Sequence, residues 1–154
     1  MKIAIGADSA GYQMKQTICA HLTERGFDMI DCGTDSTASC HYPVFAYDVA
    51  KKVSEGEATF GILVCGTGIG MSLAANKVQG IRAAVVSEHY SARYTRLHND
   101  ANVLCLGARV IGEGLALELC DVFVDTEAEG GRHATRVDMI TQIEKGTFDP
   151  GKSY

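Results

Sequence analysis

The residues best suited to chemistry are Cys65-Gly66-Thr67-Gly68-Ile69-Gly70, which follow the apolar run Gly61-Ile62-Leu63-Val64 and lead into Met71-Ser72-Leu73-Ala74-Ala75-Asn76. The pattern reads as strand, glycine turn, helix. Glycines at this spacing let the backbone approach a bound group closely, and a helix start presents unpaired N–H groups to negative charge. A thiol at the strand end adds a candidate nucleophile or proton-transfer base. On these residues alone Cys65 reads first as a small buried hydrophobe, the common state of a free cysteine. The turn is not a P-loop, because no Gly-Lys-Ser/Thr follows it.

The elements that must position this turn alternate between short β-branched runs and amphipathic segments, the signature of a parallel sheet flanked by helices. Strands are expected at residues 2–6, 27–32, 60–64, 82–86 and 103–106. Helices are expected over about 11–25, 43–54, 70–77, 91–99, 111–124 and 131–144, with Gly26 stopping the first and Pro43 opening the second. The expected fold is therefore α/β, a three-layer Rossmann-like arrangement with a central, mostly parallel five-stranded sheet. It forms a single domain over residues 1–145, followed by a polar tail over 146–154. Ligands of open α/β sheets sit beyond the carboxyl ends of the strands. That rule places Ala7-Asp8-Ser9, Cys65 to Gly68 and Gly107-Ala108-Arg109 on one rim. The turn Gly6-Ala7-Asp8-Ser9-Ala10-Gly11 has the wrong spacing for a dinucleotide fingerprint, and its aspartate would repel a pyrophosphate. A carboxylate there suits ligand hydroxyls better.

Composition narrows the partners. The chain has 154 residues, 46% of them hydrophobic, and no run of eighteen apolar residues that would span a membrane. Its start reads as a short strand running into a turn rather than as a signal peptide, so a cytoplasmic protein is expected. A net charge of −5 with scattered basic residues argues against nucleic acid or an anionic membrane as main partner. An anionic ligand must then be held by local basic residues. Six cysteines, Cys19, Cys32, Cys40, Cys65, Cys105 and Cys120, include no CxxC pair, and most fall in apolar segments, so free thiols are expected. No two cysteines or histidines stand at metal-ligand spacing, and no metal is expected.

Ordered blocks along the chain carry a more specific signal. Lys2-Ile3-Ala4-Ile5-Gly6-Ala7-Asp8, Cys65 to Gly70 with Ala74-Ala75-Asn76-Lys77, Gly80-Ile81-Arg82-Ala83, Leu97-His98-Asn99-Asp100, and Gly130-Gly131-Arg132-His133 with Arg136 together resemble the ribose-5-phosphate isomerase B family, which includes galactose-6-phosphate isomerase. The resemblance runs in order from Met1 to about Glu144. It implies a metal-free, cofactor-free aldose–ketose isomerase of a phosphorylated sugar, most simply ribose 5-phosphate to ribulose 5-phosphate. Cys65 matches the base that moves a proton between C1 and C2 through an enediolate, and the amides of Gly66, Gly68 and Gly70 match its oxyanion cradle. Thr67 and His98 match residues that open the sugar ring. Asp8 and Asn99 match groups that hold hydroxyls or the enediolate, and Tyr42 lines the same pocket.

The resemblance assigns the phosphate to Arg109, Arg132 and Arg136, whose guanidinium forks suit it. Members of the family form homodimers, some pairing into tetramers, with His98 and Asn99 entering the neighbour's site. One departure stands out, since the family usually has histidine where this chain has Ser9. A hydroxyl still hydrogen-bonds phosphate but brings no charge and less reach. Another sugar phosphate therefore stays open as substrate: allose 6-phosphate, galactose 6-phosphate or a tetrulose phosphate. So does a non-catalytic sugar-phosphate binder.

Overall fold

The computed structural model describes residues 1–153. Five strands, β1 (Lys2–Ala7), β2 (Asp28–Asp31), β3 (Phe60–Cys65), β4 (Ala83–Val85) and β5 (Val103–Gly107), form one sheet in the order β2-β1-β3-β5-β4. Every neighbouring pair is parallel, so the sheet is wholly rather than mostly parallel. The connections are α1 (Tyr12–Glu24), α2 (Tyr42–Ser54), α3 (Ile69–Ala75) and α4 (His89–Asn99), with α5 (Glu113–Asp125) and α6 (Gly131–Glu144) after the last strand. Parallel strands need such crossovers, and helices on both faces bury the sheet.

That burial explains why β3 reads as an unbroken apolar run instead of an alternating one: all of Phe60 to Cys65 is buried. Ile62 and Val64 pack on one face with Ile18 and Leu22 of α1 and Leu119 and Phe123 of α5. Leu63 and Cys65 pack on the other with Val49 of α2 and Met71 of α3. Each large aliphatic side chain so enclosed contributes about 1.5–3 kcal/mol of transfer free energy. Consecutive residues of one strand thus tie both helical layers to the centre.

Helix ends differ from the sequence expectation where side chains take over the backbone's hydrogen bonds. Helix α4 starts at His89 instead of 91, because the Glu88 carboxylate caps it, accepting from Tyr90 N at 2.7 Å and Ser91 N at 2.9 Å. Helix α3 ends at Ala75 instead of 77. There the Asn76 amide pairs with the backbone of Ala83, donating at 2.9 Å and accepting at 2.8 Å, and turns the chain toward β4.

The order of the strands creates a crevice. From β1 the chain steps to β2 on one side, then crosses to β3 on the other, so the topological switch point lies between the carboxyl ends of β1 and β3. Gly11 lets α1 approach that point. A Cβ there would lie 2.4 Å from the carbonyl oxygen of Val64, and backbone cannot yield as a side chain can. Gly11→Ala is expected to destabilise the fold by about 2–3 kcal/mol, the cost of overpacking. Urea denaturation midpoints check this, and an unchanged midpoint would contradict the close approach.

Two buried cations brace the ends of the sheet. Lys15 of α1, 1% exposed, pairs with Asp31 at the end of β2, and the same carboxylate accepts from Gly33 N at 2.9 Å. Arg96 of α4 donates to Asp100 at 2.7 Å, to Ala101 O at 2.6 Å and to Thr126 O at 3.2 Å, and its guanidinium covers the rings of Phe60 and Phe123. It fixes the end of α4 against the loop that leads into α6.

Candidate active site

The expected site residues fall into two groups. Asp8, Ser9, Tyr42, Cys65, Gly66, Thr67, Gly68, Gly70 and Arg109 gather at the carboxyl ends of β1, β3 and β5. His98, Asn99, Arg132 and Arg136 gather where α4 meets α6. Helices of a parallel α/β unit run back antiparallel to the strands, so the end of α4 lies at the opposite edge of the sheet from Cys65. Hydrogen bonds confirm the placement: Arg82, just before β4, donates to Asn99 O at 3.1 Å, and Asn102, just before β5, accepts from Arg82 N at 2.8 Å. One chain therefore does not bring His98 to its own Cys65.

In the first group Cys65 is 5% exposed, and its Sγ accepts from Gly68 N at 3.1 Å. Gly68 has φ 78°, the left-handed region that glycine tolerates, and this turns its N–H back onto the sulfur. Thr67 is exposed, its Oγ1 accepting from Ile69 N at 3.3 Å. Among the described residues the N–H groups of Gly66, Thr67 and Gly70 have no partner within the chain. They leave a cluster of donors beside the thiol. Burial pushes the thiols of Cys105 and Cys120 far above the ordinary value and keeps them neutral.

Neighbouring side chains close over this loop. Tyr42 stands against Gly70, where a Cβ would lie 2.7 Å from the ring and 3.1 Å from its hydroxyl. Arg109 lies over Gly66, with Nη1 3.5 Å from the corresponding point, and its own N–H donates to Gly66 O at 3.1 Å. Asp8 does more than face a ligand. Its Oδ1 accepts from Ala10 N at 2.9 Å and Gly11 N at 3.1 Å, which shapes the turn that carries Ser9. The Oδ2 atom takes no hydrogen bond among the described residues.

In the second group His98 is wedged between rings: it stacks on His133 with centroids 3.9 Å apart and planes 3° apart, and meets Tyr94 edge-on at 4.8 Å. Glu129 lies beside both imidazoles, 3.7 Å from His98 Nε2 and 3.3 Å from His133 Nε2. Burial, followed by the charges of His98 and Arg132, holds His133 below its ordinary value of 6.5, partly offset by Glu129. Arg132 and Arg136 project from the first turns of α6. Arg25, Arg82 and Arg96 each hold a carboxylate, whereas among the described residues Arg93, Arg109, Arg132 and Arg136 pair with none. Of these four, Arg109, Arg132 and Arg136 belong to the two groups of expected site residues, and no carboxylate competes with an anion for them.

Glu129 and His133 are the members of this cluster that received no role from the sequence, His133 being named only within the block Gly130 to His133. Glu129 stands just before α6 and four residues from His133, a spacing that is a weak signal, and only the docking of α6 on α4 brings the two to His98.

A doubly covered parallel sheet with a thiol and free amides at its switch point has the layout of an α/β enzyme. The family model for Ribose/Galactose Isomerase matches residues 3–140. The chain is 52% identical over 144 residues to ribose-5-phosphate isomerase B of Escherichia coli, covering 94% of this chain and 97% of that protein. It is 46% identical over 145 residues to D-erythrulose-4-phosphate isomerase of Pectobacterium atrosepticum, covering 94% and 95%. Its structure is similar to that of Clostridium thermocellum ribose-5-phosphate isomerase B, with a TM-score of 0.94, 53% identity and coverage of 95% and 99%. The chain belongs to the Ribose/Galactose Isomerase family, whose members are intramolecular oxidoreductases.

Among the described residues no helix is long and apolar enough to cross a membrane.

Proposed function

We propose that the protein interconverts an aldose phosphate and its ketose, most simply ribose 5-phosphate and ribulose 5-phosphate, with Cys65 as the base. The observation that carries this reading is the Cys65 sulfur held by Gly68 N–H beside the unpaired amides of Gly66, Thr67 and Gly70. The Cys65 thiolate takes the proton from C2 of the open-chain aldose. The C2–H electron pair becomes the C1=C2 bond, and the carbonyl pair moves onto O1, where preorganised amides stabilise the charge. Return of the proton to C1, with O2 giving its proton up to O1, completes the ketose. Nothing is lost or gained overall.

Cyclic sugar must open first, which needs a proton moved from the anomeric hydroxyl to the ring oxygen. Thr67 and His98 take that role, and Asp8 and Asn99 hold hydroxyls. Tyr42 closes the side of the pocket. Arg109, Arg132 and Arg136 take the phosphate. Because the two groups lie at opposite edges of one chain, the working site joins the Cys65 rim of one protomer to the His98 cluster of another. A homodimer is the smallest assembly that does this.

Ser9 favours a second reading within the same chemistry. It supplies no charge where the family resemblance implies a histidine, and the Pectobacterium relative takes a four-carbon substrate by name. Loss of a charge-assisted contact weakens binding by about 1.5–3 kcal/mol unless another group replaces it. A panel of tetrose, pentose and hexose phosphates, scored by kcat/KM and by deuterium uptake at C2 in heavy water, tests both readings. The expected result is exchange with every turned-over sugar and an optimum at ribose 5-phosphate; an optimum at a tetrose phosphate establishes the second reading. Binding with no exchange for any sugar would overturn the enzyme assignment.

A further inference from the structure

The proposed reaction uses His98 but neither Glu129 nor His133, although the fold fastens both to it. Glu129 N–H donates to Leu97 O at 3.0 Å, which pins the loop before α6 to the last turn of α4. Helix α6 then continues from Gly130, whose φ of 73° and ψ of −148° belong to glycine, and lays His133 flat on His98. One donor atom from each of His98, Glu129 and His133 lies within 4.8 Å of the others. Ligands around a first-row divalent ion at about 2.0–2.2 Å stand roughly 3–3.5 Å apart, and because the stacked rings hold their in-plane lone pairs parallel, the half-buried His98 ring must turn to aim its Nε2 at an ion shared with His133 and Glu129.

The components suit a metal in other respects. Two imidazoles and one carboxylate are a donor set that zinc takes readily, with a position left open. His133 is 7% exposed and so is held in place, while the half-exposed Glu129 side chain can adjust. A cavity of about 270 Å³ between α4 and α6, lined by Leu97, His98, Gly130 and His133, gives an ion access from solvent. One group opposes it: Arg132 Nε lies 3.4 Å from His133 Nε2. Arg132 is exposed and has no carboxylate to hold it there, so it can swing outward.

We propose that His98, Glu129 and His133 form an inhibitory site for a divalent transition metal of the zinc class, bound through both Nε2 atoms and the Glu129 carboxylate. Occupation withdraws His98 from proton transfer. The inhibitory part rests on the ring-opening role given to His98 above, while the binding part does not.

The test is calorimetric titration of chelator-stripped full-length protein with Zn2+, repeated with Glu129→Gln, His133→Asn and Cys65→Ser. One ion per chain is expected, with affinity lowered at least about tenfold in the first two variants and unchanged in the third. Co2+ serves as the spectroscopic probe, and a visible band without thiolate-to-metal charge transfer is expected. Thermal melts check that each variant folds, and Glu129→Gln, being at the surface, keeps the test informative if His133→Asn does not. Unchanged affinity in Glu129→Gln, or a thiolate band with Co2+, would overturn the site. Full activity of His98→Asn on cyclic sugar, with zinc binding still dependent on Glu129, would remove the ring-opening role and leave the site standing.

Discussion

Cys65→Ala is expected to lower kcat by about 10³-fold or more, the contribution of a positioned proton-transfer group, while KM for the sugar phosphate changes little. No other thiol or hydroxyl at the rim can replace Cys65. Cys105 faces the same layer but is sealed in the core, and burial holds its proton. Thr67 supplies a hydroxyl too weakly acidic to take a carbon-bound proton. Stability should hardly move, because alanine fills most of the volume at a site with one polar contact, and the loss is expected at about 1 kcal/mol. Parallel measurements of kcat, C2 deuterium exchange and Tm separate the two effects. A variant that keeps near-normal kcat would refute the base assignment, and one that unfolds would show that Cys65 is structural.

Much of this could be read from the chain before it was folded. The run Phe60 to Cys65 fixes β3 because six consecutive buried residues fit only a strand covered on both faces. With Gly66 to Gly70 after it, that strand end is recognisable as a site. What the sequence could not express is distance between segments. That His98 and Asn99 serve a neighbour's Cys65 was an expectation only through the family resemblance, because the order of blocks says nothing about which end of the sheet a helix terminus reaches. The return direction of α4 is what separates them from the Cys65 of their own chain. Likewise, no spacing rule connects His98 to Glu129 and His133, since their meeting depends on α6 docking across α4. Asp8 was legible as a carboxylate at the rim, but half of its hydrogen-bonding capacity goes to building its own turn. Local chemistry was visible; the sharing of groups between structure and ligand was not.

The second large effect concerns the other half of the site. Replacing Arg132 and Arg136 together by methionine, which retains the stems, is expected to reduce kcat/KM for a sugar phosphate by roughly 10²–10⁴, mostly through KM, since each charge-assisted contact contributes about 1.5–3 kcal/mol. Turnover of the unphosphorylated sugar should stay as it was. Arg25→Met is the control, because that guanidinium is committed to Asp121 and Asp125 and should leave kcat/KM unaltered. A double variant within about threefold of the original would dismiss the phosphate assignment. The same variant also reports on how the site is assembled. Cys65→Ala chains keep an intact His98 cluster, and Arg132→Met/Arg136→Met chains keep an intact Cys65 rim. If every site joins the rim of one protomer to the cluster of the next, each mixed dimer holds one complete site. Refolding an equal mixture of the two inactive variants is then expected to restore about a quarter of the original activity, because half of the randomly formed dimers are mixed. If instead each chain builds its site alone, the mixture stays as inactive as its parents.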